Sequence, residues 1–375
     1  MFISDWRSGS HRSRLVERPG VGENAQTIAS DRAKESSVSQ PTSVQVDTLG
    51  RRKLPLFPFA VLAFLAAALA WMGLEQFVNA LTLGAIYALI ALGYTMVYGI
   101  IELINFAHGD VFMVATFVTM FVSSTILGQT SSVPNIPELA FYLVVTFACT
   151  VAFMAAVGAL IERLAYRPLR RAPRLAPLIT AIGVSFILQN IIQYVVGPYG
   201  YNVPQLFPRE WVIELSGVRI PLLNIFVISV AVTLMVTLQL FISKTRTGRA
   251  MRTTAMDRDA SAIMGVDINR TIMVTFLIGS GLAGAAGVIH GLYYGNTNFQ
   301  VGYQAGLKSF TAAVMGGIGN TAGAALGGFL IAFIEVGAVV LGFSRWGGAV
   351  VFSLLVIFLV FRPTGLLGSH VGDRA

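Results

Sequence analysis

Long stretches without a charged side chain are the feature that most limits how this chain can fold. Residues 76–101 and 139–161 contain no Asp, Glu, Lys or Arg, and similar stretches recur from residue 54 onward. A helix needs about 20 apolar residues to cross the hydrocarbon core of a membrane. Only 12% of the residues are charged, against about 25% in soluble domains. The pattern therefore predicts an all-α fold, a polytopic bundle of transmembrane helices.

The apolar runs predict the membrane segments one by one. Clear spans are expected at 55–74, 77–98, 109–127, 139–161, 177–197, 222–242, 271–293, 322–342 and 347–361. Residues 305–318 form a further apolar segment that is short for a crossing and typical of a re-entrant or broken helix. The chain is therefore expected to contain about nine or ten membrane segments.

Basic residues are concentrated in three polar blocks. Of the 26 Lys and Arg residues, nine lie in 1–53, five in 162–174 and six in 243–270. Cytoplasmic loops carry the excess of Lys and Arg, so all three blocks are expected on the cytoplasmic side. A tenth crossing at 305–318 would place the C-terminus in the cytoplasm, whereas a re-entrant segment would place it outside. Arg362 favours the cytoplasmic arrangement.

Composition also divides the chain into regions and excludes some partners. Residues 1–53 are polar and predict a disordered cytoplasmic tail, without a cleaved leader before the first apolar run. Residues 54–75 predict an N-terminal transmembrane helix. The net charge of +8 is explained by the cytoplasmic blocks, so no nucleic-acid partner is expected. Cys149 is the single cysteine, which excludes a disulfide framework within the chain.

Enzyme motifs do not occur in the sequence. It has no P-loop, no HExxH, no GxSxG and no CxxC pair, and its four histidines are scattered, so neither catalysis nor a metal site is predicted. Active transport would then need energy from an ion gradient, through intramembrane charges, or from a separate ATPase bound to a cytoplasmic loop.

Residues 99–110 predict a break between two transmembrane helices, because polar residues separate two apolar runs there. Broken helices offer backbone groups and helix ends to the ammonium and carboxylate of a zwitterion. The alternative is a plain cytoplasmic turn in which Asp110 caps the next helix. The predicted solute pathway consists of polar residues in apolar surroundings, namely Asn79, Thr82, Asn105, His108 and Asp110.

The polar block 243–270 is predicted to be a coupling loop that binds a separate ATPase. Its residues 251–262 have helical periodicity, and small side chains there allow insertion into a cleft. The alternative is a basic loop that contacts lipid headgroups. The residues assigned to the ATPase contact are Arg249, Met251, Arg252, Asp259 and Gly265.

Ionisable residues at membrane depth are few, and they define a rival function. They are Glu102, His108, Asp110, Lys308 and Glu335, none of which forms an evident charge pair within one helix. In an ion-coupled secondary transporter or a channel for a small polar solute, four of them would relay protons or cations without an ATPase, namely Glu102, His108, Asp110 and Glu335.

Four segments of the sequence resemble the LivH family, the permeases of branched-chain amino acid ABC importers. They are NALTLGAIYALIALGYTMVYG from Asn79, INFAHG from Ile104, FTAAVMGGIGN from Phe310 and RPTGLLG from Arg362. They occur in the order found in the family, and 243–270 stands where the family has its coupling loop. The resemblance covers about 76–368, which is taken as a LivH-like permease domain. It implies that the tail and the helix at 54–75 are additional to the usual start of the family.

The resemblance implies a multi-pass protein of the bacterial inner membrane, embedded in membrane lipid, with a cytoplasmic C-terminus. It implies a complex with a LivM-like second permease, two cytoplasmic ABC ATPases and a periplasmic substrate-binding protein. ATP would be bound by the partner ATPase, and no cofactor is expected in this chain. Related permeases carry urea or short amides, so the resemblance leaves the exact solute open.

Overall fold

The structure is a computed structural model that describes residues 56–170, 172–173, 175–215, 217–362 and 364–368. The predicted disordered tail, 1–53, lies outside the described residues and stays a prediction.

Helices dominate the described part of the chain. They are α1 (Leu56–Met72), α2 (Leu74–Ile101), α3 (His108–Phe121), α4 (Ile136–Ile161), α5 (Leu175–Val195), α6 (Leu222–Lys244), α7 (Arg246–Met256), α8 (Arg258–Ile263), α9 (Ile268–Tyr294), α10 (Val301–Gly316), α11 (Thr321–Val340) and α12 (Gly347–Phe361). Short π-helical turns continue α3 over Val122–Ile126 and α4 over Glu162–Tyr166. The all-α polytopic bundle predicted from the sequence is confirmed.

Eight of the described helical segments are long and apolar enough to cross a membrane, and they comprise α2, α3, α4, α5, α6, α9, α11 and α12 with their short extensions. Helices α1 and α10 are shorter, with 17 and 16 residues. Their lengths correspond to about 24–26 Å, somewhat less than the hydrocarbon core of about 30 Å. The additional N-terminal span predicted at 54–75 thus coincides with a helix, and its crossing of the membrane stays a prediction.

Helices α2 and α9 form the centre of the bundle. Their most apolar windows are 94% and 72% buried, whereas those of α5, α6 and α12 are only 17%, 17% and 11% buried. Exposed apolar helices are stable where lipid or another membrane subunit covers them. The outer helices therefore present the lipid-facing or subunit-facing surface.

Glycines allow the helices of this centre to touch. A Cβ atom added at Gly328 in α11 would lie 2.5 Å from the Cα atom of Ala88 in α2. Added Cβ atoms at Gly323 and Gly327 would collide with the carbonyl oxygens of Gly316 and Ala312. Small residues at such spacing let helix backbones approach closely.

Short strands lie at one end of the bundle. Strand β1 (Tyr201–Asn202) pairs with β4 (Asn296–Thr297), and β2 (Val212–Leu215) forms a hairpin with β3 (Val218–Pro221). The apolar pattern of the sequence did not predict these strands, three of which lie between α5 and α6.

Helix α10 runs from one end of the bundle to the other. It begins just after β4, at the end that carries the strands. It ends near Gly319, where a Cβ atom added at Gly99 would lie 3.2 Å from the Gly319 Cα atom, at the end where α7 packs. Leu366 N donates to Met315 O at 2.8 Å, so residues 364–368 lie at this end too. This path is that of a crossing helix, and whether 305–318 crosses the membrane or re-enters it stays a prediction.

Candidate functional site

The predicted helix break is present between α2 and α3. Helix α2 ends at Ile101 and α3 begins at His108, with residues 102–107 non-helical between them. Glu102 has φ 57°, the single positive φ of a non-glycine residue in the described part of the chain. Asn105 Oδ1 accepts a hydrogen bond from Ala107 N at 3.2 Å, which closes the turn before α3.

Asp110 lies in the first turn of α3 and is 2% exposed. Its carboxylate accepts hydrogen bonds from two side chains of α5, Ser185 Oγ and Gln189 Nε2, the latter at 2.9 Å. The alternative in which Asp110 only caps α3 is wrong, because its partners lie on another helix and Ala107 occupies the capping position. No Lys or Arg forms an ion pair with Asp110 in the regions that the structure covers.

Asp110 lies in the wall of a cavity of about 550 Å³ between α3, α5 and α10. This volume is in the range of cavities that bind small molecules. The polar side chains of its wall are Asp110, Ser185, Gln189, Gln300 and Gln304, and the aromatic ones are Tyr94, Phe106, Phe186, Phe299, Tyr303 and Phe310. The cavity therefore combines a carboxylate and amides with a large apolar surface.

Glycines bring α10 against α3 beside Asp110. A Cβ atom added at Gly109 would lie 2.5 Å from Gly302 O and 2.9 Å from Gly306 Cα. Both are backbone atoms of α10, which cannot move aside as a flexible side chain could. Glycine at these positions thus sets the distance between two walls of the cavity.

Two other predicted pathway residues lie behind the cavity rather than in its wall. His108 is 1% exposed and packs on Tyr94, with ring centroids 4.8 Å apart. Asn105 Oδ1 accepts a hydrogen bond from Tyr166 OH at 3.1 Å.

The remaining two predicted pathway residues lie near the other end of α2. Asn79 Oδ1 accepts a hydrogen bond from Asn224 Nδ2 in α6 at 3.4 Å. Thr82 Oγ1 donates to Val78 O within its own helix at 2.8 Å. The structure therefore does not bring the five predicted residues into one site; of these, Asp110 is the one in the cavity wall.

The predicted coupling loop forms the two short helices α7 and α8. Each has a capping side chain: Thr245 Oγ1 accepts from Gly248 N, and Asp257 Oδ1 accepts from Ala260 N, both at 2.9 Å. The helical periodicity expected across this loop is interrupted at Asp257.

The five residues assigned to the ATPase contact are not equivalent in the structure. Met251 is 2% exposed and packs in the core of this chain, whereas Arg249, Arg252, Asp259 and Gly265 are exposed. Two apolar residues that the sequence analysis did not single out, Ile263 and Met264, are 86% and 83% exposed at the end of α8. Apolar residues directly before a glycine in a polar loop were the signal that could have identified them.

An intramembrane ion pair connects three helices away from the cavity. Lys308 Nζ in α10 lies 2.5 Å from Glu335 Oε1 in α11, and Tyr87 OH in α2 donates to Glu335 Oε2 at 2.9 Å. The sequence showed no pair within one helix because the two charges lie on different helices.

A second ion pair, between Arg170 and Glu162, lies at the end of α4. Arg170 Nη1 also donates to Asn269 Oδ1 in α9 at 2.6 Å. Burial lowers the pKa of Arg170, and the neighbouring Glu162 carboxylate opposes that shift. These contacts join the end of α4 to the start of α9.

Comparison with known proteins agrees with this architecture. The family model described as "Branched-chain amino acid transport system / permease component" matches residues 76–360. The chain is 44% identical over 299 residues to the high-affinity branched-chain amino acid transport system permease protein BraD of Pseudomonas aeruginosa, covering 79% of this chain and 95% of BraD. It is 39% identical over 298 residues to the corresponding LivH of Escherichia coli (strain K12), with the same coverage of 79% and 95%. No solved structure matches the chain.

The family model covers most of the chain, and these relatives match over nearly their whole length. The resemblance noted in the four sequence segments is confirmed, and a transport component rather than an enzyme is identified. The chain belongs to the family of permease components of branched-chain amino acid transport systems.

Proposed function

We propose that this chain is the membrane-spanning permease subunit of an ABC importer in the bacterial inner membrane, and that branched-chain amino acids pass along the cavity beside Asp110. The relatives BraD and LivH are permease proteins of high-affinity branched-chain amino acid transport systems. The observation that carries the proposal for this chain is a buried carboxylate in the wall of a largely apolar cavity that contains six aromatic side chains.

A buried carboxylate is costly unless hydrogen bonds and an opposite charge compensate for the lost water. Ser185 and Gln189 supply hydrogen bonds to Asp110, but no cationic side chain pairs with it in the described ranges. The α-ammonium group of an amino acid would supply the missing charge. The aromatic walls would cover its aliphatic side chain, which a neutral and polar solute such as urea lacks.

The energy would come from partner subunits. Two cytoplasmic ATPases would bind and hydrolyse ATP. One of them would contact exposed residues of α7, α8 and the turn after α8, namely Arg249, Arg252, Asp259 and Gly265. A second, LivM-like permease would cover an exposed helical face and complete the pathway, and a periplasmic binding protein would deliver the solute. This chain itself would need no cofactor.

The same proposal predicts the orientation of the chain in the membrane. The basic loops at 162–174 and 243–270 would face the cytoplasm, together with the N-terminus. Because residues 364–368 lie at the end of the bundle where α7 packs, the C-terminus would be cytoplasmic as well. The strands β1–β4 would face the periplasm.

Purification of the tagged chain from its native membrane in mild detergent tests the assembly. A co-purifying P-loop ATPase and second permease, with ATP-dependent leucine uptake after reconstitution, would support the proposal. Recovery of this chain alone, with uptake that collapses on adding a protonophore at constant ATP, would instead identify an ion-coupled transporter.

The Asp110→Asn variant tests the solute site, because it retains the size of the side chain and removes its charge. We expect leucine uptake to fall by about tenfold or more, with unchanged membrane abundance. The matched control is Glu138→Gln, which neutralises an exposed carboxylate outside the cavity. Equal uptake by Asp110→Asn and the parent protein would contradict the assignment of the cavity.

A further inference from the structure

One long-range hydrogen bond connects the coupling helices to the helix break. Arg258 Nη2 donates to Ile100 O at 3.0 Å, across 158 positions of sequence. Arg258 is the first residue of α8, and Ile100 lies in the last turn of α2. The bond therefore joins the surface assigned to the ATPase to the backbone that leads into the Asp110 cavity.

We infer that Arg258 is a positioning residue, through which movement of α7 and α8 changes the geometry of the cavity beside Asp110. This inference rests on the proposed function, because it assumes that an ATPase moves these helices. It assigns the transmission to a named contact within the permease itself.

The chemistry of the contact suits this role. The last carbonyl groups of a helix lack intrahelical partners and carry partial negative charge, so a cationic donor binds them well. No acidic side chain forms an ion pair with Arg258 in the part of the chain that the structure covers. The guanidinium therefore remains available to the α2 terminus rather than being held by a local carboxylate.

The backbone that follows this contact has the properties of a hinge. Glu102, two residues after Ile100, has φ 57°, in the left-handed region that non-glycine residues adopt only with strain. Five further non-helical residues then lead to α3, whose third residue is Asp110. A displacement of the α2 terminus would therefore be absorbed in the break and would reorient the first turn of α3.

The far side of the break is attached to the core instead of to the coupling helices. Tyr166 OH donates to Asn105 Oδ1 at 3.1 Å, and Tyr166 is 1% exposed, with its ring centroid 5.1 Å from that of Phe276. One end of the break is thus fixed in the core, and the other is bound by Arg258. A force on α8 would act on the segment between these two points.

The contact region also has room for a change of position. A gap of about 70 Å³ lies between the end of α2 and α7, and its lining includes Gly99, Ile100 and Met251. A fully packed contact would resist movement, because protein interiors have low compressibility. The gap leaves local space in which α7 and the end of α2 can change position relative to each other.

The test compares Arg258→Ala and Arg258→Lys in the purified complex, with Arg270→Ala as the matched control. Arg270 is an exposed arginine at the start of α9, so its loss removes the same charge outside the contact. The amount of ATPase that co-purifies with each variant is measured first. In proteoliposomes, the transport ratio is then measured as leucine transported per ATP hydrolysed. We expect Arg258→Ala to retain the ATPase and its hydrolysis but to lower the transport ratio about tenfold. Arg258→Lys should restore part of the ratio, because its ammonium can still donate to Ile100 O.

A second variant covers the case in which Arg258→Ala does not fold. Glu102→Gly removes the strain at φ 57° and loosens the hinge, and it should also lower the transport ratio without loss of the ATPase. An unchanged ratio of leucine transported to ATP hydrolysed in both Arg258→Ala and Glu102→Gly would overturn the inference. Loss of the ATPase from folded Arg258→Ala would also overturn it, because Arg258 would then belong to the docking surface. Failure of the parent complex to contain an ATPase would instead overturn the proposed function.

Discussion

Lys308 and Glu335 form an ion pair of 2.5 Å between α10 and α11, with each side chain 19% exposed. Tyr87 OH donates to the second carboxylate oxygen of Glu335 at 2.9 Å, so the pair also involves α2. Removing one member of such a half-buried pair leaves the other charge without its partner among apolar helices, which costs more than the pair itself contributes.

The Lys308→Met variant should therefore be destabilised by about 3 kcal/mol. Thermal unfolding of the purified complex in detergent measures the loss. The control is the double variant Lys308→Met with Glu335→Leu, which removes both charges and should recover most of the stability. Equal midpoints for Lys308→Met and the parent protein would show that the pair does not stabilise the helices.

Gly109→Ala should disturb the cavity from behind Asp110. The added methyl group would lie 2.5 Å from Gly302 O and would force α3 and α10 apart. Overpacking of this kind lowers the free energy of unfolding by about 2 kcal/mol. Both the temperature of unfolding and leucine uptake should therefore decrease. Gly183→Ala on α5 is the matched control, because no atom lies within 4 Å of the position of its Cβ. Similar behaviour of the two variants would contradict the close packing at Gly109.

Ser185→Ala should weaken solute binding without removing the charge of Asp110. The hydroxyl of Ser185 donates to the Asp110 carboxylate, and a hydrogen bond to a charged group contributes about 1.5 kcal/mol. The expected change is a rise of about tenfold in the leucine concentration for half-maximal uptake. Ser229→Ala, on α6 outside the cavity, provides the control. A rise that is equal in both variants would argue against a role for Ser185 in the cavity.

The sequence predicted the helices better than the site. Apolar runs identify buried or lipid-facing helices directly, and the break before His108 followed from polar residues between two such runs. Ser185 and Gln189 were not singled out, because they lie 75 and 79 positions from Asp110 and only helix packing brings them together. The periodicity around Met251 likewise did not reveal which face of α7 turns into the core.

The ion pair between Lys308 and Glu335 also could not be predicted from the sequence alone. Lys308 and Glu335 are 27 positions apart on two helices, and only the path of α10 along α11 makes them partners. The short length of α10 suggested a re-entrant segment. Its path to the opposite end of the bundle depends on glycine contacts such as that between Gly99 and Gly319, which length and hydropathy do not encode.

The orientation can be tested with single cysteines, because Cys149 is the single native cysteine of the chain. In a Cys149→Ser background, Ser131→Cys and Asp259→Cys place a thiol in exposed loops at the strand end and in α8. A membrane-impermeant thiol reagent added to intact spheroplasts should label the first variant and not the second. Both should react after the membrane is opened, and labelling of Asp259→Cys from outside would invert the proposed topology.

Asp259→Lys tests the coupling surface separately from the bundle. Asp259 is exposed in α8 and forms no ion pair in the described regions, so reversal of its charge should leave the fold intact. Leucine uptake should fall by about tenfold while membrane abundance stays unchanged. The positive charge of the new lysine would be repelled by the ATPase surface, which would accommodate a carboxylate there. Glu210→Lys, at an exposed position just before β2 that forms no ion pair in the described regions, makes the same charge reversal at the opposite end. Normal uptake by Asp259→Lys would exclude Asp259 from the ATPase contact, whereas equal loss in both variants would indicate a general effect of charge on insertion.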